Sequence, residues 1–172
     1  MRVLRATLMI AAWSLAACST TPLPAPPAAL TTATPETMVA AIRAAAGHDD
    51  SELAVQPLRD PMVDDLRQQA LRLEMLRHYA EAAAMLDKAL AMVPEDPALL
   101  QERAEAALLL KDYTGAEQRA RQAHAIGAKV GPLCRRHWAT VQQTRLVAGD
   151  AAGAASAKVQ VDACKVAGPN RY

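Results

Sequence analysis

The chain has 172 residues, of which 52% are hydrophobic, 22% charged and only 3% aromatic, with no Phe. Ala fills 40 positions and Gly 7; Ala is the best helix former and a poor strand former, so the composition argues against a β-sandwich or barrel and for an all-α chain packed from aliphatic and small side chains. The formal charge is +1, and with Arg2 and Arg5 set aside as part of a leader it becomes 17 basic against 18 acidic residues, or −1, which leaves no footprint for a nucleic-acid partner.

Residues 1–17 carry Arg2 and Arg5, then a charge-free apolar run from Ala6 to Ala17. This is the layout of a secretory signal. The run is too short for the ~20 residues that a helix needs to cross hydrocarbon, and Pro22, Pro24, Pro26 and Pro27 stop it from continuing. The segment Leu15-Ala16-Ala17-Cys18 resembles the bacterial lipobox. The resemblance implies cleavage before Cys18, acylation of that cysteine and anchoring by several acyl chains, enough for stable membrane attachment. The alternative is an ordinary secretory signal cut nearby, with Cys18 a bystander. Ser19 stands where many such lipoproteins carry the Asp that retains them in the inner membrane. The resemblance therefore implies a cell-envelope protein at the outer membrane, facing the periplasm. Residues 18–34 carry no charge and, after Cys18 and Ser19, continue with only Thr, Pro, Ala and Leu, a composition expected to form a flexible tether.

Thr34-Pro35-Glu36 is an N-cap followed by Pro at the first helical position, and Gly47 is a stop, so the pattern predicts a short helix over 35–47. It is expected to cap the open end of the fold. Residues 48–59 read as a loop. Asp60-Pro61 then repeats the cap-plus-Pro start and opens a long helical region, predicted to run over 61–168.

That region repeats itself. At a spacing of 34, Leu66 pairs with Leu100, Ala70 with Ala104, Tyr79 with Tyr113, Ala82 with Ala116 and Ala89 with Ala123. The tyrosine pair is the most informative, since the chain has only three Tyr. A first unit, 63–96, adds Leu86, Leu90 and Pro94; a second, 97–130, lacks the closing Pro; a third, 135–168, appears after a four-residue insertion and places Trp138 opposite Leu100. The pattern resembles the tetratricopeptide repeat, a helix-turn-helix unit of 34 residues. The resemblance implies about three helical hairpins stacked into an α-α superhelix, with Ala70, Ala82 and Ala89 allowing close helix approach, Tyr79 wedged between units and Pro94 ending a helix. Met75, Met85 and Met92 are read as core or groove filler rather than as ligands.

Cys134 and Cys164 are expected to form a disulfide, because the leader implies an oxidising compartment and an antiparallel hairpin brings the two ends together. The alternatives are two buried thiols, or a redox or metal-handling protein using Cys134, Cys164 and His137. The metal set lacks the paired close spacings of a zinc site, and no metal or other cofactor is assigned. Asp49-Asp50 and Asp64-Asp65 are neighbours in sequence and diverge on a helix, so they make no dyad. No catalytic motif occurs, and the chain is not expected to be an enzyme.

Tetratricopeptide arrays present a concave surface from their first helices. Mapped onto this chain, the groove comprises Arg67, Leu71 and Met75, then Gln101, Glu105 and Leu109, then Arg136 and Gln143, with Asp64, Glu74, Leu108 and Leu146 beside them. Leu71 replaces the Asn that the family uses to hold a free carboxyl terminus, so recognition of a chain end is not expected. The surface suits an amphipathic helix or extended segment of a protein partner. The resulting expectation is a lipid-anchored periplasmic adaptor or assembly factor, similar to tetratricopeptide lipoproteins that escort secretins, assist outer-membrane assembly or dock peptidoglycan hydrolases.

Overall fold

A computed structural model of the chain describes residues 27–47 and 60–165. Among these residues there are seven α-helices and no strands: α1 Pro35–Ala45, α2 Pro61–Met75, α3 Tyr79–Met92, α4 Pro97–Leu109, α5 Tyr113–Ile126, α6 Pro132–Val147 and α7 Ala151–Ala163. The leader, Cys18 and residues 48–59 lie outside the described residues, as do the last residues of the expected repeat region. No helix among those described is long and apolar enough to cross a membrane.

The fold is all-α and built from three hairpins, α2-α3, α4-α5 and α6-α7, each folded on itself and stacked on the next. Local chemistry sets their ends. Thr34, Asp60 and Asp96 cap α1, α2 and α4 with side-chain oxygens, each followed by Pro at the helix start. Asp112 and Asp150 accept from the backbone N–H of Gly115 and Gly153 to start α5 and α7. The three hairpin turns are the same structure. Arg77, Lys111 and Gly149 are left-handed, with φ of 61°, 62° and 73°. The N–H of the following residue donates in each case to the carbonyl five residues earlier, His78 to Leu73, Asp112 to Ala107 and Asp150 to Arg145, all at 2.9 Å. These are Schellman closures, which satisfy the orphan carbonyls at the end of a helix.

The turns recur at spacings of 34 and 38 residues. The extra four residues in the second interval match the insertion expected from sequence. Three of them lengthen the start of α6, which therefore begins at Pro132 rather than at 135, and the fourth lengthens the α5-α6 loop. The helix interfaces are alanine-rich, as the repeat pattern implies: Ala70, Ala82, Ala89, Ala104, Ala116, Ala120 and Ala123 are all buried. Such small side chains bring helix axes close together and leave the larger Leu86, Leu99, Leu100 and Val141 to fill the layers between them.

Two expectations are corrected at the N-terminal side. The tether was expected to run to Thr34, but residues 27–30 lie along the α6-α7 turn. The Leu30 N–H donates to the Leu146 carbonyl at 2.8 Å, and a Cβ built at Gly149 would stand 2.5 Å from the Ala28 carbonyl oxygen and 2.8 Å from Pro27 Cβ. Glycine is required there twice, for its positive φ and for this close approach. Helix α1, expected to cap the open end, instead lies against α4 and α6 on the concave side. Its apolar face of Met38, Val39 and Ile42 finds there the buried Ala107, Leu108 and Leu109 of α4 and Ala139 of α6. The methionines also divide: Met85 is half-buried, whereas Met75 and Met92 are exposed.

Candidate functional site: a concave groove half filled by α1

Helices α2, α4 and α6 are the first helices of their hairpins and carry the expected groove residues. The structure separates these residues into two sets. Gln101, Glu105 and Leu109 are buried, with α1 laid over the part of the groove between α4 and α6. This corrects the expectation that they face a partner directly. Arg67 and Leu71 on α2 line the uncovered side, where Leu71 is 52% exposed, whereas Met75, 69% exposed, is not part of that lining and corrects the expectation that it belongs to the groove. Arg136 lies on the boundary between the two, and Gln143 is half-buried farther along α6.

The covered half is held by charge as well as by apolar contact. Glu105 is fully buried and accepts from Arg43 Nε of α1 at 2.8 Å, from Arg136 Nε at 3.0 Å and from Gln101 Nε2 at 2.9 Å. Arg43 also donates two hydrogen bonds to the Glu74 carboxylate of α2, at 2.7 and 2.9 Å. Burial alone would lower its pKa, but the hydrogen bonds and charges of Glu74 and Glu105 reverse that and raise it. At one end of α1 the Tyr79 hydroxyl donates to Glu36 at 3.0 Å; at the other, the buried Arg135 guanidinium donates to the carbonyls of Ala45 and Ala46. These contacts complete a helix terminus that would otherwise have orphan carbonyls.

Docking of α1 is nonetheless finely balanced. Burial of Met38, Val39 and Ile42 contributes roughly 2 kcal/mol each, and the charged hydrogen bonds of Arg43 and Arg135 about 2 kcal/mol each. Ordering its 11 residues costs about 1 kcal/mol per residue. The two sides nearly cancel.

A buried polar chain that sequence reading missed extends beneath α1. Gln101 Nε2 donates to Thr140 Oγ1 at 2.9 Å as well as to Glu105, which leaves its Oε1 facing His137 Nδ1 at 2.8 Å. The proton between them therefore sits on Nδ1 of a neutral imidazole. Burial, reinforced by His124, Arg136 and Lys129, pushes the His137 pKa down to about 3. Its Nε2 is buried without a partner and borders a small cavity of about 110 Å³ beside His124 and Trp138. Polar residues on the inward side of α4 and α6 were the available signal, but they read equally well as an open groove.

The uncovered half is an open cavity of about 560 Å³ between α1 and α2. Its floor is apolar, from Ala70, Leu71, Ala82 and Leu86, and its rim is charged. Each rim arginine is already engaged: Arg67 with Glu102 and Asp64, Arg43 with Glu74 and Glu105, Arg136 with Glu105. Paired in this way, the rim offers orientation and hydrogen bonding rather than a net charge for capturing an ion. Such a site accommodates apolar side chains of a peptide or helix with polar contacts around them.

Cys134 and Cys164 are joined as a disulfide, with Cα atoms 5.7 Å apart and both residues buried. The bridge ties the start of α6 to the end of α7, alongside a 2.7 Å hydrogen bond from the Gly131 N–H to the Cys164 carbonyl. With both thiols consumed, the alternative metal set of Cys134, Cys164 and His137 loses its sulfur ligands. Among the described residues no group of three or more His, Cys, Asp or Glu gathers as a metal site would require.

The three hairpins, their shared turns and the groove can be set beside known proteins. The chain is similar to the globular C-terminal domain of P. aeruginosa LpoP. The two are 28% identical with a TM-score of 0.58, and the match covers 61% of this chain and 99% of that domain. No family model matches the sequence, and no curated protein matches it. The likeness thus extends over nearly the whole of that LpoP domain. The tetratricopeptide family remains a resemblance, carried by the 34-residue spacing and the repeated turns.

Proposed function

We propose that this chain is a non-catalytic interaction adaptor of the bacterial cell envelope, anchored through acylated Cys18 and binding a protein partner in the cavity between α1 and α2. The observation that carries this reading is the half-filled groove. One side of the concave face is sealed by α1, and the other stays open with an apolar floor and a paired, charged rim. The cavity of about 560 Å³, with its apolar floor of Ala70, Leu71, Ala82 and Leu86, is suited to binding apolar side chains of a partner. The leader pattern Leu15-Ala16-Ala17-Cys18 supports the anchor, the Cys134–Cys164 bridge suits an oxidising compartment, and the likeness to the C-terminal domain of LpoP supports an envelope setting. Anchoring raises the effective concentration of the binding face at the membrane, so even a modest affinity is functional.

The test is quantitative affinity purification from solubilised envelopes, comparing the native chain with a variant carrying Arg67→Glu and Leu71→Glu. Both residues are on the cavity wall and neither is in a buried core cluster. The reading predicts loss of a specific co-purifying protein from the variant while its helicity is retained; an unchanged set of co-purifying proteins would contradict it.

A further inference from the structure

The covered half of the groove is itself a helix-binding site, and its present occupant shows what it takes. Helix α1 has 11 residues, too few to be stable alone in water. It packs on α4 and α6 as an element outside the three hairpins, and touches α2 through the Arg43–Glu74 ion pair. We propose that α1 is an exchangeable, built-in ligand, and that the α4-α6 groove binds in its place a partner's amphipathic helix carrying the pattern of Met38-Val39-x-x-Ile42-Arg43.

Three observations fix the chemistry of that partner. The apolar surface under α1, made by Ala107, Leu108, Leu109 and Ala139, accepts side chains at i, i+1 and i+4 of a helix, the positions of Met38, Val39 and Ile42. Glu105, with no solvent exposure, and Glu74 beside it meet a guanidinium at the position after the last apolar residue, as they meet Arg43. A lysine would meet these two carboxylates without the fork geometry that Arg43 uses on Glu74. Arg135 donates to the carbonyls at the C-terminal end of the seated helix, which sets the helix direction. The site therefore reads orientation, register and a basic residue together.

Exchange also reaches the open cavity, because Arg43 and Ala46 form part of its wall. A partner that enters the cavity and supplies such a helix would replace that wall with its own. This deepens the adaptor reading and takes its meaning from it, but it is tested with the chain's own helix. Failure of exchange would leave the Arg67 and Leu71 experiment untouched, and the reverse also holds.

The test uses the full chain and a synthetic peptide of residues 30–47. In a chain carrying Ile42→Asp, which disfavours docking of its own α1, the peptide is expected to bind one to one and at least tenfold more tightly than to the native chain, where α1 competes. The same peptide with Arg43→Glu is expected to bind at least tenfold more weakly. Equal affinity for the native and Ile42→Asp chains, or indifference to the Arg43 change, would overturn the proposal. A second readout needs no substitution: hydrogen exchange in the native chain should show α1 amides opening at least a hundredfold faster than those of α4. Identical rates would make α1 a fixed part of the core and overturn it equally. Light scattering is expected to show a monomer; a dimer abolished by Ile42→Asp would assign the groove to a second copy and overturn the assignment to a partner helix.

Discussion

At the residue scale, the buried polar chain makes the fold sensitive to acid in a definite window. His137 titrates at about 3 when folded against about 6.5 unfolded, so between these values the unfolded state takes up a proton that the folded state refuses. Its contribution is fully present above about pH 6.5 and is lost as the pH falls toward 3. Urea unfolding is expected to show about 2 kcal/mol lost from this group between pH 7 and pH 5. That interval lies above the main carboxylate range, so the loss should be largely absent in His137→Gln; parallel pH dependences would show that the imidazole is not the cause. Glu105→Gln removes the carboxylate charge shared by Arg43 and Arg136 and is expected to cost about 2–3 kcal/mol in the same measurement.

These residues also show where sequence reading stops. Gln101, Glu105 and Leu109 lie on the inward face of α4, a face that helical spacing decides, but they are buried rather than open to a partner. Whether that face meets water or another helix is a tertiary fact. Polar side chains such as Gln101 and Glu105 suggest water, and only the arrival of Arg43 and His137 explains their burial. Leu71, expected in the groove, remains exposed on its open half, and Met75 is exposed away from the cavity lining.

At the scale of elements, the hairpins were legible because their ends are written locally. Asp-Pro opens α2 and α4, Tyr79 and Tyr113 stand 34 residues apart, and the left-handed turn residue falls at Arg77, Lys111 and Gly149. Gly149 alone is also pressed by another segment. Gly149→Ala is therefore expected to destabilise the chain by more than about 1–2 kcal/mol, while Lys111→Gly at the equivalent turn should be neutral or stabilising. Thermal unfolding of the two variants compares them directly. The destination of α1 was not legible. Its apolar face announced that it must pack, but an 11-residue pattern names no surface, and the open end of the stack was as good a guess as the groove. Likewise, nothing in the composition of residues 27–30 distinguishes a free tether from a segment laid against the α6-α7 turn.

The disulfide belongs to this scale too, because it closes the α6-α7 hairpin. Its closed loop spans a sequence separation of 30, for which chain-entropy reasoning gives about 3.5 kcal/mol. Cys134→Ala with Cys164→Ala should lower the unfolding midpoint accordingly. In the native chain, thiol labelling should require both denaturant and reductant, since both sulfurs are buried. Ready labelling with mild reductant alone would favour redox chemistry at this pair instead.

For the whole molecule, the described residues form a stack of hairpins whose inner face is half occupied by α1, to which the proposed function adds an acyl anchor at Cys18. Palmitate incorporation that depends on Cys18 is the expected sign of the anchor, and its absence in the native chain would remove the membrane from the reading. The binding face is tested most directly by photo-crosslinking in living cells, with a photoreactive residue placed at position 71 on the cavity wall or at position 158 on the exposed side of α7. A discrete crosslinked partner from position 71, lost with Arg67→Glu and not formed from position 158, is the predicted result; equal crosslinking from the two positions, or none from position 71, would contradict it.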